Sequence, residues 1–173
     1  MVILYLYTEV MGYTLSTISS IVEYGNEVHV VHWDKKKLTP YKFKKNKKIK
    51  FYPRSKNNKY AIQKLCNKIN PDIIAISGWM DPCYLKIAKS LIKKNKKVVC
   101  MFDDQWLAKP KQYIAKLLGK FGFFHIYFSN AWVCGSFQYE YARKLGFRKD
   151  EIIYDLYSAD IELFKKVKRQ RSI

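Results

Sequence analysis

Short β-prone runs recur along the chain, and most are followed by a loop and then by apolar residues at helical spacing. Val2 to Tyr7 is the first run, and Asp72-Ile73-Ile74-Ala75-Ile76-Ser77 is the clearest. A strand that is apolar on consecutive residues must be buried on both faces, which points to a parallel sheet covered by helices. The same rhythm continues with Glu27 to Trp33, Lys96 to Phe102, Ala131 to Cys134 and Ile152 to Tyr154. Between them, helical spacing appears in Leu15, Ile18, Ile21 and Val22, in Ala61, Leu65, Cys66 and Ile69, and in Leu85, Ala88, Leu91 and Ile92. Right-handed β–α–β connections follow for such a chain. The expected fold is α/β: one Rossmann-like domain with a mostly parallel sheet and helices on both faces.

The boundaries carry their own signals. Asp81 and Pro82 form an N-cap and first-turn pair for the helix that begins there. Gly25 and Gly146 stand where a left-handed residue would close a helix. Gly135 breaks the run at Cys134, and the Ser136 hydroxyl offers an N-cap for the helix carrying Phe137, Tyr141, Ala142 and Leu145. Tyr113 to Leu118 reads as helical. Phe121 to Phe128 is dense in aromatics and fits either a core helix and strand or, beside Lys111, Lys116 and Lys120, a membrane interface. Ile49 to Tyr52 alternates like a half-exposed strand inside the lysine-dense interval 35–59. That interval reads as a solvated loop or as a contact for an anionic surface.

With 173 residues the chain is long enough for a real core, and 49% of the residues are apolar. The four cysteines lie far apart, which favours free thiols in a reducing compartment over a disulfide or zinc framework. The first residues have no basic leader, and no stretch approaches the length of a spanning helix. A cytoplasmic protein is expected, with peripheral contact at the inner membrane face as a further expectation. The net charge of +19 attracts polyanions, yet only five of the 33 basic residues are Arg. Specific recognition of phosphates and bases leans on Arg, so a nucleic-acid partner is not expected.

Ligands of open parallel sheets bind beyond the carboxyl ends of the strands. Four loops stand there. Gly12 and Tyr13 follow the first strand, where a helix N-terminus could face a phosphate, although G-x-G-x-x-G is absent. Trp79 and Asp81 follow the strand ending at Ser77; an aromatic face and a carboxylate suit a sugar, while Asp81 also has its capping duty. Asp103, Asp104, Gln105 and Trp106 follow Phe102, and the acid pair could serve as a catalytic base, accept hydroxyl hydrogens or hold a metal. Ser136 and Gln138 could orient a substrate or simply start a helix. His29, His32 and His125 have no metal-ligand spacing and read as structural.

Several of these pieces together resemble the N-terminal half of GT-B glycosyltransferases of the family 4, or group 1, type. The pieces are Gly25-Asn26-Glu27-Val28-His29-Val30, Pro71-Asp72-Ile73-Ile74, Val133 to Ser136, Arg143 to Phe147, Ile152-Ile153, and Asp160 to Phe164. The resemblance implies an acceptor-binding domain (residues 1–164) of a hexosyltransferase-type enzyme in polysaccharide biosynthesis, followed by a basic tail (165–173) standing for a truncated interdomain linker. The implied partners are a nucleotide-sugar, a glycan or lipid-linked acceptor and a separate chain supplying the donor domain. Peripheral contact with an anionic membrane would fit a polyprenyl-phosphate acceptor. On this resemblance Asp103 and Asp104 are the catalytic candidates, no cofactor or metal is needed, and the chain alone lacks full activity. The family often has a His where this chain has Asp103-Asp104. The alternative expectation is a non-catalytic basic Rossmann-like module that binds nucleic acid or anionic membrane.

Overall fold

The computed structural model describes residues 1–35 and 47–157. Residues 36–46 of the lysine-dense interval, the Asp160–Phe164 piece and the basic tail 165–173 therefore lie outside the described residues. Seven strands form one sheet in the order β3-β2-β1-β4-β5-β6-β7. They are β1 (Val2–Tyr7), β2 (Glu27–His32), β3 (Lys50–Pro53), β4 (Ile73–Ser77), β5 (Lys97–Phe102), β6 (Asn130–Val133) and β7 (Ile152–Ile153). Every pairing is parallel. The expectation of a Rossmann-like parallel sheet is met. The helices are α1 (Gly12–Glu23), α2 (Lys59–Ile69), α3 (Pro82–Ile92), α4 (Pro110–Lys120) and α5 (Ser136–Lys144).

The period-2 alternation of strands distributes side chains to two faces. Leu4 and Leu6 join Ile74, Ile76, Val98 and Cys100 beneath α2, α3 and α5. Ile3, Tyr5 and Tyr7 point the other way and pack with Val28, Val30 and Met101 against Ile18 of α1. Both faces of β1 are thus dry, which is why its sequence shows no polar alternation. The half-exposed β3 sits at the sheet edge, next to β2.

Local signals act as the sequence foretold at several boundaries. Asp81 caps α3 by accepting a hydrogen bond from the Cys83 amide at 2.8 Å. Ser136 does not cap α5: Gly135 is the N-cap residue in extended backbone, and Ser136 is the first helical residue. The chain turns one residue earlier than the hydroxyl would require. Between α4 and β6, Phe124 and Phe128 are buried while Phe121 and Phe123 are exposed, and the segment forms a short 3-10 turn, not a strand. All four cysteines are free. Burial pushes the thiols of Cys66 and Cys134 up to about 11. It raises those of Cys83 and Cys100 as well.

α4 meets the end of α5 at a backbone-to-backbone contact. Gly119 lies against Leu145, and Gly146, at φ +97°, would place a Cβ 2.5 Å from the Gly119 carbonyl oxygen. A side chain at either position must push apart two backbone segments, not a flexible tip. Overpacking of this kind costs about 1–3 kcal/mol. Gly119→Ala is therefore expected to lower the free energy of unfolding by about 2 kcal/mol, read from the midpoint of urea denaturation. An unchanged midpoint would show that α4 does not depend on this contact.

Candidate functional site: a cleft where the strand order reverses

The chain moves from β1 through β2 to β3 on one side, then returns to pair β4 on the other side of β1. The loops after β1 and β4 consequently part in opposite directions and leave a crevice at the carboxyl ends of these strands. A cleft of about 290 Å³ occupies this place. Tyr7, Thr8, Glu9, Met11 and Tyr13 line it from β1 and the start of α1, Ser77 to Met80 from the end of β4, and Met101 to Asp104 from β5; Tyr157 closes one side.

Its floor is tied by short hydrogen bonds. The Thr8 amide donates to Ser77 Oγ at 2.8 Å, and Ser77 Oγ donates to Thr8 Oγ1 at 3.2 Å. The Gly78 amide donates to the Met101 carbonyl at 2.7 Å, so β4 and β5 stay joined past their last paired residues. On one wall the rings of Tyr13 and Tyr157 meet at a tilt, their centroids 4.4 Å apart and their planes at 58°. Behind them the buried Tyr7 hydroxyl accepts from Thr14 Oγ1 at 3.4 Å. Burial raises the pKa of Tyr7, Tyr13 and Tyr157, and the charge of Asp103 adds to it. These phenols stay neutral and offer hydroxyls, not bases. On the opposite wall Trp79 lies 5.6 Å from the Phe102 ring and 5.5 Å from that of Phe124.

Charge sets this cleft apart. Among the described residues its lining carries Glu9, Asp103 and Asp104 and no Lys or Arg, in a chain of net charge +19. Partial burial raises the Asp104 carboxyl above the usual carboxylate range, the neighbouring Asp103 adds to this, and Lys109 opposes it. A second cavity of about 410 Å³ shares Met80 with the cleft and is lined by Trp33, Asp34, Lys35, Arg54, Ser55 and Asp81. There Asp81 accepts from Trp33 Nε1 at 2.9 Å and from Arg54 Nε at 3.2 Å. Arg54 also donates to the Asn57 carbonyl at 2.8 Å, and Asp34 accepts from the Ser55 amide at 2.9 Å.

The residues singled out from the sequence divide accordingly. Tyr13, Trp79, Asp103 and Asp104 converge on the cleft, and Gly12 opens α1 between two of its lining residues. Gln138 adjoins it: its Nε2 donates to the Asp103 carbonyl at 3.1 Å, fixing the β5 loop to α5. Asp81 belongs to the neighbouring cavity, where three hydrogen bonds occupy its carboxylate. Gln105 and Trp106 turn away. The Gln105 carbonyl accepts from Gln112 at 2.8 Å, and Trp106 packs on Tyr113 and Tyr141 with Lys144 over its ring. Ser136 is exposed at the start of α5 and does not line the cleft. Sequence reasoning passed over Thr8, Ser77 and Tyr157 as site residues. A hydroxyl residue at the carboxyl end of each central strand was the available signal for the first two. Among the described residues no group of three or more His, Cys, Asp and Glu side chains could hold a metal ion.

No family model and no curated protein matches the sequence. Among solved structures, the chain is similar to the Bordetella bronchiseptica enzyme WbmH in complex with NAD+, at 14% identity over 76% of this chain and 55% of that one, with a TM-score of 0.48. It is similar to a probable 2-hydroxyacid dehydrogenase from Rhizobium etli CFN 42 in complex with NADP, at 12% identity over 98% of this chain and 51% of that one (TM-score 0.39). An acyclic imino acid reductase in complex with NADPH matches at 12% identity over the same shares, with a TM-score of 0.36. The chain spans about half the length of these structures. The likeness concerns the α/β architecture alone.

These findings correct the glycosyltransferase expectation, because the neighbours are NAD(P)-bound enzymes of other kinds. With it go the nucleotide-sugar donor, the glycan or lipid-linked acceptor and the separate donor-domain chain. The alternative, a non-catalytic basic module, gains no support from them either. The physical reason lies in the pieces that carried the resemblance. Gly25 ends the turn after α1, Glu27 to Val30 begin β2, and Pro71 to Ile74 lead into β4. Parallel α/β sheets commonly place a helix-ending glycine and apolar strand starts at such places, so these pieces are not specific to one family.

A carboxyl whose pKa is raised on folding weakens the fold as pH rises past its unfolded value and ceases to do so once protonated. Asp104→Asn is therefore expected to raise the melting temperature at pH 7, with the gain vanishing as pH falls through the carboxylate range. Thermal unfolding at pH 7 and at about pH 3.5 measures both ends. A lower melting temperature for the variant at pH 7 would mean that the Asp104 charge stabilises its loop.

Proposed function

We propose that this domain binds a nucleotide across the carboxyl edge of its sheet. The reversal of strand order at β1 and β4, with α1 starting at that point, is the observation that supports this reading most. The first turn of α1 holds no acidic residue, and no side chain caps it. A helix start of this kind carries partial positive charge toward a phosphate. The carboxylates on the β5 side accept hydrogen bonds from ribose hydroxyls or a base amine, and Trp79 and Tyr13 offer flat faces to a ring.

Electrostatics orients the ligand. Phosphate oxygens beside Asp103 and Asp104 would meet like charge, so the phosphate end points toward α1 and the Lys35–Arg54 cavity. The pair of glycines that lets a pyrophosphate touch backbone is absent from Thr8-Glu9-Val10-Met11-Gly12, so side chains do more of the holding than in G-x-G-x-x-G proteins. Amide spectra of the 15N-labelled protein, titrated with ATP, NAD+ or NADPH to about 1 mM, test this. Shifts confined to residues 8–13, 77–80 and 102–104 are expected. No shift with any of the three, or shifts elsewhere, would overturn the reading.

The place of work is the second part of the proposal. Among the described residues no helix is long and apolar enough to cross a membrane. The outward apolar side of α4 supports peripheral work against a membrane surface.

A further inference from the structure

α4 is amphipathic in the inverted sense. On the side toward α5 it touches the rest of the protein through small residues, with Gly119 buried against Leu145 and Ala115 packed on the core, while Gln112 and Tyr113 near its start contact Gln105 and Trp106. Its large apolar residues face out, with Ile114 60%, Leu117 58% and Phe121, just past its end, 79% exposed. Tyr113 and Leu118 widen the stripe on its two sides. At 100° per residue Lys111 lies beyond one edge of this stripe and Lys116 and Lys120 beyond the other. Next to it, between α4 and α5, is a cavity of about 550 Å³ lined by Lys116, Lys120, Arg143 and Lys144, with Glu140 the only acid among the described residues.

We propose that α4 and this cationic cavity form a docking surface for an anionic phospholipid bilayer. The inference rests on the peripheral reading proposed above and assigns it a surface. Ile114, Leu117 and Phe121 enter the boundary between headgroups and acyl chains, where an exposed apolar stripe loses its contact with water. Lys111, Lys116 and Lys120 extend their stems along the stripe and keep their ammonium groups among the phosphates. The cavity beside them takes a headgroup phosphate. Charge decides the occupant: a second copy of a chain of net charge +19 would bring the same cations to the same face, whereas an anionic lipid surface attracts every one of them.

Co-sedimentation with vesicles tests the surface. The full chain is compared on neutral phosphatidylcholine and on vesicles with about 30% phosphatidylglycerol, at about 0.1 and 0.5 M salt. Binding is expected on the anionic vesicles only, and weaker at the higher salt. Leu117→Glu combined with Phe121→Glu should reduce the affinity roughly tenfold or more, since both side chains already face solvent and the fold does not need them. Lys116→Ala with Lys120→Ala should weaken binding and flatten its salt dependence. Absence of binding to either vesicle would overturn both the surface and the peripheral reading. Anionic binding unchanged by the four substitutions would overturn the surface alone. A dimer by light scattering that the Leu117 and Phe121 variants split would also overturn it, by showing that another protein copy covers α4.

Discussion

The pairing of β1 on both edges, with β2 on one side and β4 on the other, is the constraint from which the rest follows. A central strand in a parallel sheet needs apolar side chains on both faces, and Val2 to Tyr7 supplies them. Once β1 is central, the chain must leave it in opposite directions, and the loops at its carboxyl end cannot cover each other. The cleft is thus a consequence of topology before it is a property of any side chain. The mutual hydrogen bonds of Thr8 and Ser77, 69 residues apart, hold its floor at that point.

The surface is divided electrically. Cations crowd the helices, while among the described residues the cleft at the reversal point keeps three carboxylates and no basic side chain. Like charges gathered in a partly buried place weaken a fold, and the carboxyl of Asp104, raised by burial and then by Asp103, reflects it. The nucleotide proposed for this cleft would bring ribose hydroxyls or a base amine to these carboxylates as hydrogen-bond donors. The neighbouring cavity contrasts with it, because Arg54 and Asp81 there already satisfy one another.

Much of the fold was legible in the sequence because its signals are local. Asp81 before Pro82, Gly25 and Gly146 after their helices, and continuous apolar runs at β1 and β4 each act within a few residues. The cleft was only half legible. Asp103, Asp104, Tyr13 and Trp79 stood out by residue type and position after a strand, whereas Thr8, Ser77 and Tyr157 acquire meaning only when the sheet brings them together. Trp106, which follows a strand, packs instead on Tyr113 and Tyr141 from two later helices, a contact its position in the sequence does not show. α4 teaches a related lesson. Periodicity shows that Ile114, Leu117 and Leu118 share a side, but Gly119 decides which side meets the protein.

The cysteines have a practical consequence. With thiols raised to about 11 at Cys66 and Cys134, only roughly one molecule in ten thousand carries the reactive thiolate there at neutral pH. Burial holds Cys83 and Cys100 up as well. A cysteine introduced on an exposed helix would therefore outrun all four native ones toward a maleimide or a nitroxide reagent. The natural chain is already a quiet chemical background, on which spectroscopic reporters can be placed one at a time without first removing a single thiol from the core.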